Sequence, residues 1–171
     1  MRKIFIAAIV TALTFTGEVV KAQNYKFGHI NSQEILSAMP DRDSAEAKIK
    51  NYAQSLQTQI EELQVEFNKK YQDYLQKRST FTDAIREVKE KELSDMQQRA
   101  QEYQQVAEQD YQRYQAEVMK PVIEKANAAI QKVAKSNGFT YIFDTSTGVL
   151  LYFSEQSVDI APLVKKELGI K

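Results

Sequence analysis

The chain has no cysteine and no tryptophan, and only one histidine, three prolines and five glycines in 171 residues. Without cysteine there is neither a disulfide nor a thiolate, so stability must rest on packing or on association with other chains. His29 is the sole imidazole, which rules out a histidine cluster or a mixed His–Cys set for a metal. It reads as an ordinary strand residue. Neither a glycine-rich phosphate loop nor a nucleophile motif occurs. Asp144 and Asp159 fall where a strand ends and a helix starts, so they read as structural carboxylates rather than an acid–base pair. The chain reads as non-enzymatic and without a cofactor.

An excess of one charge is also missing. The first 22 residues hold three basic side chains and one acidic, leaving 20 basic and 22 acidic in the remainder, a net of −2. A nucleic-acid partner calls for a strongly basic face, and none is present. Long apolar runs are absent apart from IFIAAIVTALTF near the start, about a dozen residues and too short to span a bilayer of ~30 Å. Preceded by MRK and followed by Val20-Lys21-Ala22, it reads as a cleavable export signal over residues 1–22. The expected location is the periplasm.

What the chain does have is one long run free of glycine and proline, the 80 residues between Pro40 and Pro121. Residues 44–136 are rich in Gln, Glu, Lys and Ala, all strong helix formers. Asp43-Ser44-Ala45-Glu46 offers a capping box at the start, and Gly138 can close the helix at the end. One apolar stripe runs Ile49, Ala53, Leu56, Ile60, Leu63, Phe67, Tyr71, Tyr74; a second runs Leu93, Met96, Ala100, Tyr103, Ala107, Tyr111, Tyr114, Val118. Both step by threes and fours near the coiled-coil period of ~3.5. Between them the register fails at Ser79-Thr80-Phe81-Thr82-Asp83, where Ser and Thr compete for the backbone and Asp83 can cap a new helix. Two equal stripes flanking a weak point predict a helical hairpin with its tip at about 79–83. One straight helix would separate the end regions by ~120 Å and leave each too small for a core.

The flanks, 23–43 and 137–171, read as one β-sheet body. FGHIN is a strand, and SQEILSAM a short helix capped by Asn31 with Glu34 at the capping-box spacing. FTYIFD and VLLYF (149–153) read as strands joined by TSTG, and DIAPLVKKELG as a terminal helix with Asp159 as cap and Gly169 past its end. Strict alternation puts Phe139, Tyr141 and Phe143 on one face and Ile142 on the other. Apolar residues on both faces predict that both are covered, one by the chain's own helices and the other by another subunit. The fold class is therefore α+β: a small β-sheet oligomerisation body carrying a long, protruding coiled-coil hairpin.

The segment from KPVIEKANAAIQKVAKSNGF to the end, with Ala134-Lys135-Ser136-Asn137-Gly138, Asp144, Leu151-Tyr152 and Asp159-Ile160, resembles the Skp (OmpH) family of periplasmic chaperones for outer-membrane proteins. FGHINSQEIL resembles the family's opening strand and short helix. Ala161 departs from the threonine usual at its position. The resemblance implies a homotrimer in which three sheets form a barrel-like body and three hairpins enclose a cavity for unfolded outer-membrane proteins. Phe27, Ile30, Tyr141, Ile142, Phe143, Leu150, Leu151 and Tyr152 are then the candidate oligomerisation body. Val65, Lys69, Lys70, Tyr71, Tyr74, Lys77, Arg78, Phe81 and Val88 are the candidate client-contacting positions on the arm. Relatives in the family are strongly basic. The near-neutral charge here argues against the lipopolysaccharide or anionic-lipid binding proposed for them, although residues 69–78 are locally positive. An envelope spacer or adaptor built on the same coiled coil is the alternative reading.

Overall fold

The computed structural model describes residues 25–170; the expected export signal over 1–22 lies outside the described residues. In chain order the elements are β1 (Phe27–Ile30), α1 (Ser32–Ala38), α2 (Pro40–Lys77), a 3₁₀ turn (Arg78–Thr80), α3 (Asp83–Ser136), β2 (Tyr141–Asp144), β3 (Val158–Asp159) and α4 (Ala161–Leu168).

Helices α2 and α3 form an antiparallel hairpin, and its cross-helix contacts give the register. Asp41 meets Lys125 at 2.8 Å, Tyr52 stacks on Tyr114, Lys70 meets Glu92 at 2.8 Å, and the Tyr74 hydroxyl donates to Glu90. As α2 runs outward from Asp41, its partners on α3 run inward from Lys125, converging near residue 82. The 3₁₀ turn and Thr82 form that tip, as the weak pentad predicts. Thr82 rather than Asp83 caps α3, its hydroxyl accepting from the Ile85 N–H at 3.4 Å. Asp83 sits in the first turn and pairs with Arg86 instead. Every stripe residue on both arms is buried or half-buried except Tyr71. The seam was therefore legible as a pattern of threes and fours.

The outgoing helix begins at Pro40, earlier than the Asp43 box suggests. Pro40 occupies the first turn, where its fixed φ and missing N–H cost nothing. Ser44 lies inside the helix with its hydroxyl bonded back to the Pro40 carbonyl. Helix α3 has 54 residues against 38 in α2, so it overshoots the hairpin and enters the body. There Val122, Ala126, Ala129 and Val133 pack against Ile30, Ile35, Met39, Ile160 and Val164. Pro121 lies inside α3 at this root, where its missing N–H removes one rung of the helical ladder.

The sheet has the order β2-β1-β3, and both pairings are parallel: Phe27 to Ile30 against Tyr141 to Asp144, and Gly28 and His29 against Val158 and Asp159. This corrects the expectation of a strand over 149–153. The TSTG turn does form, with Gly148 at φ 69°, but the chain beyond it does not return along the edge of β2. It crosses the outer face instead, held there by Phe153, which stacks on His29 at 4.1 Å, and by Ser157, whose hydroxyl lies 2.9 Å from His29 Nδ1. The third strand is then the short β3, on the far side of β1. Asp144 anchors the end of β2 to the start of α1 through the Ser32 hydroxyl (2.5 Å) and N–H (3.2 Å). Burial raises its pKa, but these bonds and those from Ser146 outweigh that effect and hold it below the usual carboxylate value. Asn31 caps α1 as expected, accepting from the N–H groups of Gln33 and Glu34. Asp159 precedes the cap of α4 by one residue and accepts from the Ala161 N–H at 2.9 Å.

Phe139 is a second correction. It precedes the strand, so alternation does not govern it, and it packs on the core side with Ile142. Both side chains converge on Gly28, where an added Cβ would lie 2.8 Å from Ile142, 3.0 Å from Phe139 and 3.1 Å from Ile160. Gly28→Ala should overpack this junction and destabilise the body by about 1–3 kcal/mol. Urea denaturation followed by circular dichroism measures this, and an unchanged midpoint would show that the three side chains give way freely.

Candidate functional site

Two surfaces qualify as functional. The first is the outer face of the sheet. Parallel pairing sets Phe27 beside Tyr141, and Phe27, Tyr141 and Phe143 form one aromatic cluster with centroids 6.2–6.3 Å apart. Tyr25 extends it, with its ring 6.3 Å from Phe27. Phe27, Phe143, Leu150 and Tyr152 line a concavity of about 780 Å³ between the cluster and the crossing segment. Val149 is 82% exposed, Leu151 95% and Tyr152 80%, so although Leu150 and Phe153 turn toward the sheet, the other side chains of 149–153 are left uncovered by the single chain. Ile30 and Ile142 differ from the other expected assembly residues: both pack into the subunit's own core, on the opposite face of the sheet. The expectation that the chain's own helices cover one face therefore holds, and the other face is open.

The second surface is the arm. Val65 and Val88 are 66% and 65% exposed, and Tyr71 is exposed beside Phe67, 5.9 Å away. Tyr74 is not a contact surface, contrary to its place among the candidate positions. It is 7% exposed, its hydroxyl is bonded to Glu90, and its ring faces Phe81 at 6.3 Å. Phe81 in turn folds over the tip rather than outward. The bond to Glu90, reinforced by burial, raises the Tyr74 pKa. Sequence reasoning missed Leu75, Ile85 and Val106, each an exposed apolar residue on the arm. All three lie off the two seams, and that signal was available: an apolar residue the stripe does not use has no partner within the hairpin.

The local positive charge near the tip is also reduced. Lys70 bonds Glu92 and Lys77 bonds Asp73 at 2.5 Å, so of the four basic candidates Lys69 and Arg78 are the ones outside ion pairs among the described residues. Glu92 accepts from Lys70 and Lys89, both at 2.8 Å. Those two bonds hold its carboxyl down at about 2, and the same contact raises Lys70. A carboxylate depressed in the folded state stabilises above its unfolded pKa and loses that contribution as pH falls through the folded value. The Glu92 clamp should therefore stabilise in full above about 4.5, contribute less as pH falls below that, and open only as pH passes about 2. A carboxyl-carbon NMR titration of Glu92 should show that depressed midpoint, and Glu92→Gln at neutral pH should speed amide exchange at the tip several-fold. A midpoint near 4.5 would mean the clamp does not form in solution.

Among the described residues no helix is long and apolar enough to cross a membrane, and no group of three His, Asp or Glu side chains could hold a metal.

Comparison with known proteins agrees with this architecture. The profile of the OmpH family, described as outer membrane protein (OmpH-like), matches residues 26–168, and the chain belongs to that family. A crystal structure from Caulobacter crescentus, provisionally described as an outer membrane chaperone (OmpH-like), superposes with a TM-score of 0.73 at 14% identity. The match covers 84% of this chain and 83% of that one. At that identity the likeness is one of fold: a long helical hairpin on a small three-stranded sheet. A search of curated proteins gave no match.

Proposed function

We propose that the protein is an ATP-independent periplasmic holdase that binds unfolded outer-membrane β-barrel proteins between the helical arms of a homotrimer and prevents their aggregation. Family membership and the description of the Caulobacter relative favour the chaperone class. The observation that carries the reading is the arm itself. Val65, Tyr71, Leu75, Ile85, Val88 and Val106 are exposed on a hairpin whose seam is already filled. Single exposed apolar residues are ordinary, but several copies of such an arm around one cavity form a distributed, weakly apolar wall. A wall of that kind suits clients with alternating apolar residues and no common sequence, and it asks for no nucleotide. The open aromatic face and the uncovered 149–153 segment support assembly through the body, because a sheet face and a strand-competent segment of this kind are liabilities unless another copy covers them.

A coiled-coil spacer would share the hairpin and the assembling body but has no use for an apolar arm surface. The two are separated by diluting a urea-denatured outer-membrane β-barrel protein into excess chaperone without nucleotide. Light scattering should stay low with the protein present and rise without it. A rise unaffected by the protein would leave the spacer.

A further inference from the structure

We propose that Tyr52 and Tyr114 form an oxidative cross-linking site, at which a one-electron oxidant joins the two arm helices of one chain through a dityrosine bond. Tyr52 lies on α2 and Tyr114 on α3, with ring centroids 4.1 Å apart and planes inclined by 28°. At that separation the two phenol rings are stacked face to face within van der Waals reach, so small ring motions bring their ortho carbons together. Among the described ring contacts this is the one that joins two tyrosines; the others pair tyrosine, histidine or phenylalanine with phenylalanine. Both rings are half-buried, so they are held by the seam yet open to a small oxidant. Among the described residues neither phenol has a hydrogen-bond partner, unlike that of Tyr74, which is tied to Glu90.

The chemistry needs an oxidant from outside, of the peroxyl-radical class. Each phenol gives one electron and its proton to one peroxyl radical, which becomes a hydroperoxide, and two phenoxyl radicals remain. These couple between their ortho carbons. The hydrogen on each coupled carbon then moves to the phenolic oxygen and restores the ring, so the chain loses two hydrogen atoms in all. Coupling is fast only when two radicals are already adjacent, and the hairpin supplies that adjacency. In a chain with no cysteine, this is a covalent strap that the fold itself positions. It would close a loop running out to the tip and back, fastening the arm near its root while leaving the tip clamp untouched. Oxidation at this pair would be spent within one chain rather than on joining neighbours.

The test uses the full mature protein and peroxyl radicals from a thermally decomposing azo initiator. Dityrosine fluorescence should appear, and peptide mass spectrometry should find the 52–114 linkage as the main product, lighter by two hydrogens. With light and nitrogen-15-labelled chains mixed, the linked peptides should carry a single label type. Tyr52→Phe and Tyr114→Phe should each lose the product, and the linked wild type should unfold at higher denaturant because the loop is closed. Dityrosine spread over other pairs, mixed-label linkage, or oxidation without dityrosine would each overturn the assignment. None of these outcomes depends on whether the protein binds clients.

Discussion

Removing residues 53–66 and 98–111 together should leave an assembled protein that no longer protects large β-barrel clients. The cross-arm contacts dictate this choice. Tyr52 faces Tyr114 and Lys70 faces Glu92, so the two excised segments lie opposite one another between the root stack and the tip clamp. Each deletion is two heptads, which returns the seam to the same phase. The arm shortens by about 21 Å at 1.5 Å per residue while both fixed points survive. The body, whose core is built from β1, α1, α4 and the inner end of α3, should be unaffected. Aggregation suppression should fail first for clients of many strands and persist for the smallest barrels, because a shorter arm encloses less volume. Undiminished protection of large clients would show that enclosure by the arms plays no part.

Leu151→Asp should have an equally large effect of a different kind. In the single chain this side chain is 95% exposed, so a charge there costs the subunit fold almost nothing. If another copy covers residues 149–153, the same charge is buried without a partner at a cost of several kcal/mol in each subunit. The expected result is dissociation, with the helical signal retained and holdase activity lost. Ile142→Asp is the contrast: Ile142 packs against the subunit's own core, so that variant should lose the fold of the body itself. Gel filtration with circular dichroism tells the two apart, and an L151D protein of unchanged mass would place the assembly contact elsewhere.

The helical parts were legible in the sequence because their signals are local. Stripes stepping by threes and fours, the Ser79–Asp83 interruption and the Asn31 cap all depend on residues within a turn or two of each other; the first two reappear in the hairpin and the third at the start of α1. The sheet was less legible because its pairing is decided by distant residues. VLLYF has every strand preference, yet the grip of His29 on Phe153 and Ser157 carries it across the face instead of along an edge. Phe139 escaped the alternation rule because the strand starts two residues later, at Tyr141. On the arm, the seam stripe already placed Tyr74 between the helices, and its burial follows that pattern rather than its place among the contact candidates. Phe81 looked available because nothing in sequence pairs a residue before the tip with one in it. The turn brings them together, and Glu90 completes the enclosure. The exposed Leu75, Ile85 and Val106 were readable in principle, as apolar residues left over once the seam is assigned.

The most direct measurement is the solution mass of residues 23–171, alone and after mixing with a urea-denatured β-barrel protein, by sedimentation at physiological salt without nucleotide. The expected result is three copies alone, and with client a single soluble species of three copies plus one client chain. A client that pellets while the protein sediments unchanged would contradict the holdase, whatever mass the protein has by itself.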